Sequence, residues 1–108
     1  LLAQASNENR PVVLDFYADW CISCKVMERN VFSDPQVIQA LAPYTLVQID
    51  ITENTLAQQA FLDELGLFGP PAILFYRKNG QELATQRILG EMNAEEFLDH
   101  LRRLGIGA

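Results

Sequence analysis

The stretch Trp20-Cys21-Ile22-Ser23-Cys24-Lys25 constrains this chain more than any other. It holds both cysteines of the sequence, separated by two residues. An apolar run, Val12-Val13-Leu14-Asp15-Phe16-Tyr17-Ala18, precedes it and reads as a buried strand. Residues 21–30 read as the first full helix. A C-x-x-C pair at a strand-to-helix junction is a dithiol that can close and reopen.

The cysteine count excludes two other uses of such residues. Two are too few for a disulfide scaffold, which needs several spread along a short chain. Nor can they supply the four ligands of a structural zinc. His100 is the only histidine. It falls far away, in a C-terminal helix where a solvated face is expected, and a Cys/Cys/His site would still lack one ligand. The expectation is therefore a redox-active Cys21–Cys24 disulfide, with no metal and no organic cofactor. A purely structural disulfide fits poorly, because a bond across two residues closes a tiny loop and constrains little of the unfolded chain.

At 108 residues the chain reads as a single domain, 1–108, large enough to bury a core. The net charge of −6, without a basic cluster, argues against nucleic acid or an anionic membrane surface as partner. The apolar runs are only a few residues long, so none is expected to insert into a bilayer, and no signal peptide is visible. The first residue is Leu rather than Met, so the chain is expected to be excised from something longer.

Along the chain, residues 1–5 read as the end of a helix and residues 6–11 as a turn. The run 12–18, rich in β-branched and aromatic residues, reads as a central strand covered on both faces. Ser33-Asp34-Pro35 offers a cap with Pro at the first helical position, and a short helix follows over 36–41 with Val37, Ile38 and Leu41 on one side. Residues 44–51 read as a second strand. Thr52 or Asn54 is expected to cap a helix over 55–65, stopped by Gly66. A third strand covers 72–76. Asn79-Gly80 favours a hairpin into a fourth strand over 82–89. Asn93 and Glu96 form a capping box for the last helix, whose buried face is Phe97, Leu98, Leu101 and Leu104. The order is β-α-(α)-β-α-β-β-α. It predicts an α/β fold, a mixed sheet of about four strands with helices on both faces.

Cys21 is expected at the helix N-terminus and Cys24 one turn in, on the same face. Backbone N–H groups and the helix dipole favour a thiolate at Cys21. Thiols in such settings titrate from roughly 3.5 to 7.5, against about 8.5 when free. Cys21, with its sulfur open to solvent, is read as the nucleophile and Cys24 as the resolving thiol. Asp15 interrupts the apolar strand. Buried, it would hold its proton more tightly and could accept one from Cys24. At a bulge or strand edge it would simply be solvated. Glu28 lies four residues beyond Cys24. It either opposes thiolate formation at Cys21 or is an ordinary solvated acid. Trp20 could shield the dithiol or anchor the helix in the core, and Phe68 could line a partner groove or pack inward. Asp19 and Lys25 read as solvated flanks.

This element order, with W-C-x-x-C-K after the first long strand, resembles the thioredoxin fold over nearly the whole chain. Asp15 stands where thioredoxins carry a buried acid, and Pro71 where they carry a cis-proline beside the dithiol. Tyr17-Ala18-Asp19-Trp20-Cys21, Cys24-Lys25, Glu28 and Val31-Phe32-Ser33-Asp34-Pro35-Gln36-Val37 narrow the match. They resemble the C-terminal domain of the DsbD family, bacterial inner-membrane thiol:disulfide interchange proteins. Pro70 and Ala72 depart from the pattern, which more often has a non-proline and a Thr there.

The resemblance implies an electron-relaying thiol–disulfide oxidoreductase domain on the periplasmic side of the inner membrane, working in the reducing direction. It implies Asp15 and Glu28 beside the catalytic pair Cys21 and Cys24. A partner surface would include Trp20, Phe68, Pro70 and Pro71. The implied partners are a membrane-embedded domain and an N-terminal periplasmic domain of the same polypeptide and, through them, other periplasmic thiol proteins. The isolated segment is expected to be monomeric. The alternative is a free general thioredoxin, which the Ile22-Ser23 interior disfavours because it lacks the usual Gly-Pro. Oxidants commonly carry His there, and a binding module without turnover would not need both cysteines.

Overall fold

The computed structural model describes residues 10–104, and the expected helix over 1–5 and most of the turn over 6–11 lie outside them. Strand β1 is Val12–Tyr17, and Val12 to Leu14 alternate between two apolar cores, one on each face of the sheet. Helix α1 (Ile22–Asn30) and helix α2 (Pro35–Leu41) follow, the latter with Asp34 accepting from the Gln36 and Val37 N–H groups and Pro35 in its first turn. Strand β2 is Thr45–Asp50, helix α3 Leu56–Glu64, strand β3 Ala72–Tyr76 and helix α4 Ala94–Leu104. The sheet order is β2-β1-β3, with β1 parallel to β2 and antiparallel to β3.

Val12, Leu14 and Phe16 of β1 face one core, which takes in Cys21, Cys24, Ile51, Leu62, Leu67 and Leu74. Val13 faces the other, built with Met27, Val31, Val37, Phe75, Phe97 and Leu101. Helix α3 thus covers one face, and α2, α4 and the later turns of α1 cover the other. β3 is buried along its whole length, which is why its five residues read as a continuous apolar run.

Four expectations need correction. The fourth strand is not regular. Glu82 bridges Tyr76 and Ile88 bridges Ile73, and the two bridges differ in register by three residues, the length of the 3-10 turn Ala84–Gln86 between them. The cap of α3 is Thr55, neither Thr52 nor Asn54. Its side chain accepts from Gln58 N–H while the Gln58 side chain accepts from Thr55 N–H, a reciprocal pair that the sequence T-x-x-Q allows. Ile38 is exposed, because the buried stripe of α2 runs through Val37 and Leu41, one turn apart. His100 is 9 % exposed and not on a solvated face. Three residues after Phe97, it shares that residue's buried stripe, with Nε2 2.8 Å from the Gln86 carbonyl and its ring 5.3 Å from that of Phe75.

The end of α3 falls at Gly66, as its place after the last helical residues predicts. Gly66 adopts φ +74°, Leu67 N–H donates to Leu62 O at 2.8 Å, and Gly66 N–H donates to Asp63 O at 3.0 Å. This is the double closure that a left-handed glycine permits. Leu62 and Leu67, both buried in the same core, seal it. The chain then turns back through residues 68–71 to start β3.

Candidate active site

Cys21 and Cys24 are joined by a disulfide with their Cα atoms 5.3 Å apart. Cys21 caps α1 in an extended conformation, and the Cys24 N–H donates to its sulfur at 3.1 Å. A sulfur at that position faces the N–H groups that the first helical turn leaves without intrahelical partners, so a thiolate formed there is stabilised. Exposure does not separate the two cysteines as expected: in the closed disulfide Cys21 is 7 % and Cys24 5 % exposed. Their positions do separate them. Cys24 lies inside the helix, its sulfur 3.8 Å from the Phe16 carbonyl of β1, an acceptor for the thiol that reduction would release.

Asp15 is partly buried on β1, paired in register with Gln48 of β2 and Ile73 of β3. Burial is the main reason its pKa rises from 3.8 to about 7. A hydrogen bond with the Gln48 side chain works against the rise, and the charge of Glu28 adds to it. Glu28, exposed to solvent on α1, thus acts on Asp15 through its charge.

Trp20 does not anchor the helix in the core. It is 56 % exposed, with its indole Nε1–H donating to Thr52 O at 3.0 Å. Thr52 also accepts from Asp19 N–H through Oγ1 at 2.9 Å, and its hydroxyl is bonded to the Asp50 carboxylate. The segment before the disulfide is thus tied to the turn after β2. Asp19 and Lys25 are exposed flanks, and Asp19 accepts from the Tyr17 hydroxyl at 2.8 Å. Phe68 packs on nothing: its relative exposure is 106 %. Gly69, Pro70 and Pro71 follow it, and the Pro70–Pro71 peptide is cis. The structure thus places Cys21, Cys24, Asp15 and Glu28 around the β1–α1 junction, and Phe68, Pro70 and Pro71 on the turn that leads into β3, the strand beside β1.

Sequence reasoning missed Thr52, read only as a possible helix cap, and Arg87, whose guanidinium donates to the Leu65 carbonyl at the end of α3. Gln48 escaped because only the strand register reveals what lies opposite Asp15. Among the described residues no group of three or more His, Cys, Asp or Glu side chains is gathered to hold a metal, and no helix is long and apolar enough to cross a membrane.

A disulfide at a helix N-terminus, following a strand of this sheet that carries a partly buried acid, defines a thiol–disulfide oxidoreductase. Comparison with known proteins narrows the class. The thioredoxin-like domain model matches residues 1–105. The chain is 51 % identical over 102 residues to the thiol:disulfide interchange protein DsbD 1 of Pseudomonas aeruginosa, covering 94 % of this chain and 17 % of that protein. It is 48 % identical over 103 residues to DsbD of Yersinia enterocolitica, covering 95 % of this chain and 18 % of that protein. The crystal structure of the oxidised C-terminal domain of Neisseria meningitidis DsbD superposes with a TM-score of 0.81 at 42 % identity, over 94 % of this chain and 88 % of that one. A thioredoxin from Thermus thermophilus superposes with a TM-score of 0.79 at 27 % identity, over 95 % and 79 %. The chain belongs to the thioredoxin-like family and, within it, to the DsbD C-terminal domains. It spans about a sixth of the length of the curated relatives it matches.

Proposed function

We propose that this domain relays electrons in the reducing direction within a bacterial inner-membrane protein. It would take them from a membrane-embedded domain of its own polypeptide. It would pass them to an N-terminal periplasmic domain and, through that, to other periplasmic thiol proteins. The observation that carries the reading is the Cys21 sulfur at the cap of α1, with the Cys24 N–H aimed at it. The family membership supplies the setting.

In the reduced domain the Cys21 thiolate attacks one sulfur of a partner disulfide. The partner S–S bond breaks, a mixed disulfide forms, and the departing partner sulfur takes up a proton. Cys24 then loses its proton, with Asp15 as acceptor, and attacks the Cys21 sulfur. The mixed disulfide breaks, the partner leaves with its second thiol, and Cys21–Cys24 closes. Two electrons and two protons have passed to the partner. Reduction by the membrane-embedded domain runs the same steps in reverse. Glu28 and Asp15 oppose a third negative charge at Cys21 and so hold its thiol up. Trp20, Phe68, Pro70 and Pro71 form the partner surface, and the segment acts as a monomer without metal or organic cofactor.

The test mixes the reduced domain with the oxidised N-terminal domain of the P. aeruginosa relative and counts thiols after alkylation. The expected result is two electrons transferred and a closed Cys21–Cys24 disulfide, with nothing transferred by Cys21→Ser. A domain that leaves that partner oxidised but accepts electrons from thioredoxin reductase would be a general thioredoxin instead.

A further inference from the structure

The turn that carries Phe68, Pro70 and Pro71 has little to hold it. Pro70 and Pro71 have no N–H to donate. Among the described residues, no hydrogen bond outside the sheet ladder engages residues 68–71. Phe68 is fully exposed and adds no packing. The turn must therefore take its position from its two stems.

Both stems are held by adjacent residues of one segment. At the leading stem, Arg87 Nη1–H donates to the carbonyl of Leu65, the cap of α3, at 2.8 Å. At the trailing stem, Ile88 exchanges two backbone hydrogen bonds with Ile73, two residues after Pro71, at 2.8 and 2.9 Å. The guanidinium does not reach Leu65 unguided. Glu82 accepts from Arg87 Nε–H at 2.6 Å and from Nη2–H at 3.0 Å, a two-pronged pairing that leaves Nη1 directed at the carbonyl. Glu82 is fixed in turn by its bridge to Tyr76 of β3. Both side chains are mostly buried, at 21 % and 17 % exposure, so the pair is more rigid than an ordinary surface ion pair.

We infer that Arg87, oriented by Glu82, is a positioning residue for exchange with protein disulfides: it sets where the 68–71 turn presents its backbone to an extended partner segment. It touches neither sulfur and takes no part in the chemistry. Arg87→Met should therefore slow reactions that need the partner held along the turn, and spare those that need only the Cys21 thiolate. The inference rests on the exchange activity proposed above.

The experiment compares two oxidants of the reduced domain. One is insulin, a protein disulfide. The other is the small aromatic disulfide 5,5′-dithiobis(2-nitrobenzoate), which requires no docking surface. For Arg87→Met, kcat/KM with insulin should fall about tenfold, mostly through KM, while the rate with the small disulfide stays within about twofold. Arg87→Lys keeps the charge but loses the fork and should recover only part of the loss. Glu82→Gln, a milder change that leaves Arg87 in place, should fall between Arg87→Met and wild type and guards against misfolding of the Met variant. Equal insulin rates in Arg87→Met and wild type would overturn the inference while leaving the proposed exchange activity intact. So would a parallel fall with both oxidants. A wild-type domain inert towards both oxidants would overturn both.

Discussion

Replacing Asp15 by Asn removes a carboxyl that the folded domain ionises only at a cost. In the unfolded chain it loses its proton near 3.8, and in the folded oxidised domain it keeps it up to about 7. Between those values the folded state binds the extra proton. Stability therefore falls as pH rises through this window, and above it the loss is complete. At about 1.36 kcal/mol per pH unit, the shift from 3.8 to about 7 sets a ceiling of about 4 kcal/mol. About 2 kcal/mol of that is lost above about pH 5.5. Solvent that reaches the partly buried carboxylate trims the figure, so about 1–2 kcal/mol is the expected observable. Asn does not ionise and can still hydrogen-bond to Gln48, so its stability should lack this decline. The assay is urea unfolding of the oxidised domain, wild type and Asp15→Asn, at about pH 5.5 and about pH 8.5. Taking the difference between the two proteins cancels the other groups that titrate in this range. The variant should gain about 1–2 kcal/mol on wild type over that interval. A difference constant to within about 0.5 kcal/mol would show that Asp15 does not titrate near neutrality, and its role as acceptor of the Cys24 proton would fall with it.

Limiting iodoacetamide on the reduced domain should label Cys21 ahead of Cys24, as peptide mapping would show, and preferential labelling of Cys24 would reverse the assignment of nucleophile. Glu28→Gln and Asp15→Asn should each lower the apparent thiol pKa read from thiolate absorbance; the values belong to the coupled cluster, and a pKa lowered by neither variant would remove the electrostatic argument. Pro70→Thr restores an N–H to the partner-facing turn and should tighten noncovalent binding by about 0.5–1.5 kcal/mol. This is measured by calorimetry on a Cys24→Ser background against a partner with its cysteines changed to Ser, and equal or weaker binding would mean that Pro70 does not lower affinity.

The parts of this molecule visible in its sequence are those governed by local chemistry. The apolar run of β3, the Pro35 and Asn93–Glu96 caps, the Gly66 stop and the C-x-x-C junction all act within a few residues of themselves. The fourth strand misled because Asn79-Gly80 favours a hairpin into it, while the 3-10 turn between the bridges breaks the register. His100 misled because a lone polar residue in a helix is usually solvated, and only the carbonyl of Gln86, fourteen positions away, explains its burial. At the site, Cys21, Cys24 and Asp15 were legible as residue types at a strand–helix junction. Thr52, Gln48 and Arg87 were not, because each acts on residues more than twenty positions distant.

The sheet divides the interior into two cores that share no residue, and both sulfurs belong to one of them. The covalent change of oxidation therefore falls within one of the two cores. Closing or opening the dithiol can loosen or tighten the packing beneath α3, where Leu62 and Leu67 lie, while the core under α2 and α4 has no covalent stake in the event. A thiol–disulfide oxidoreductase built this way can change at the dithiol end while the core under α2 and α4 keeps the same covalent bonds.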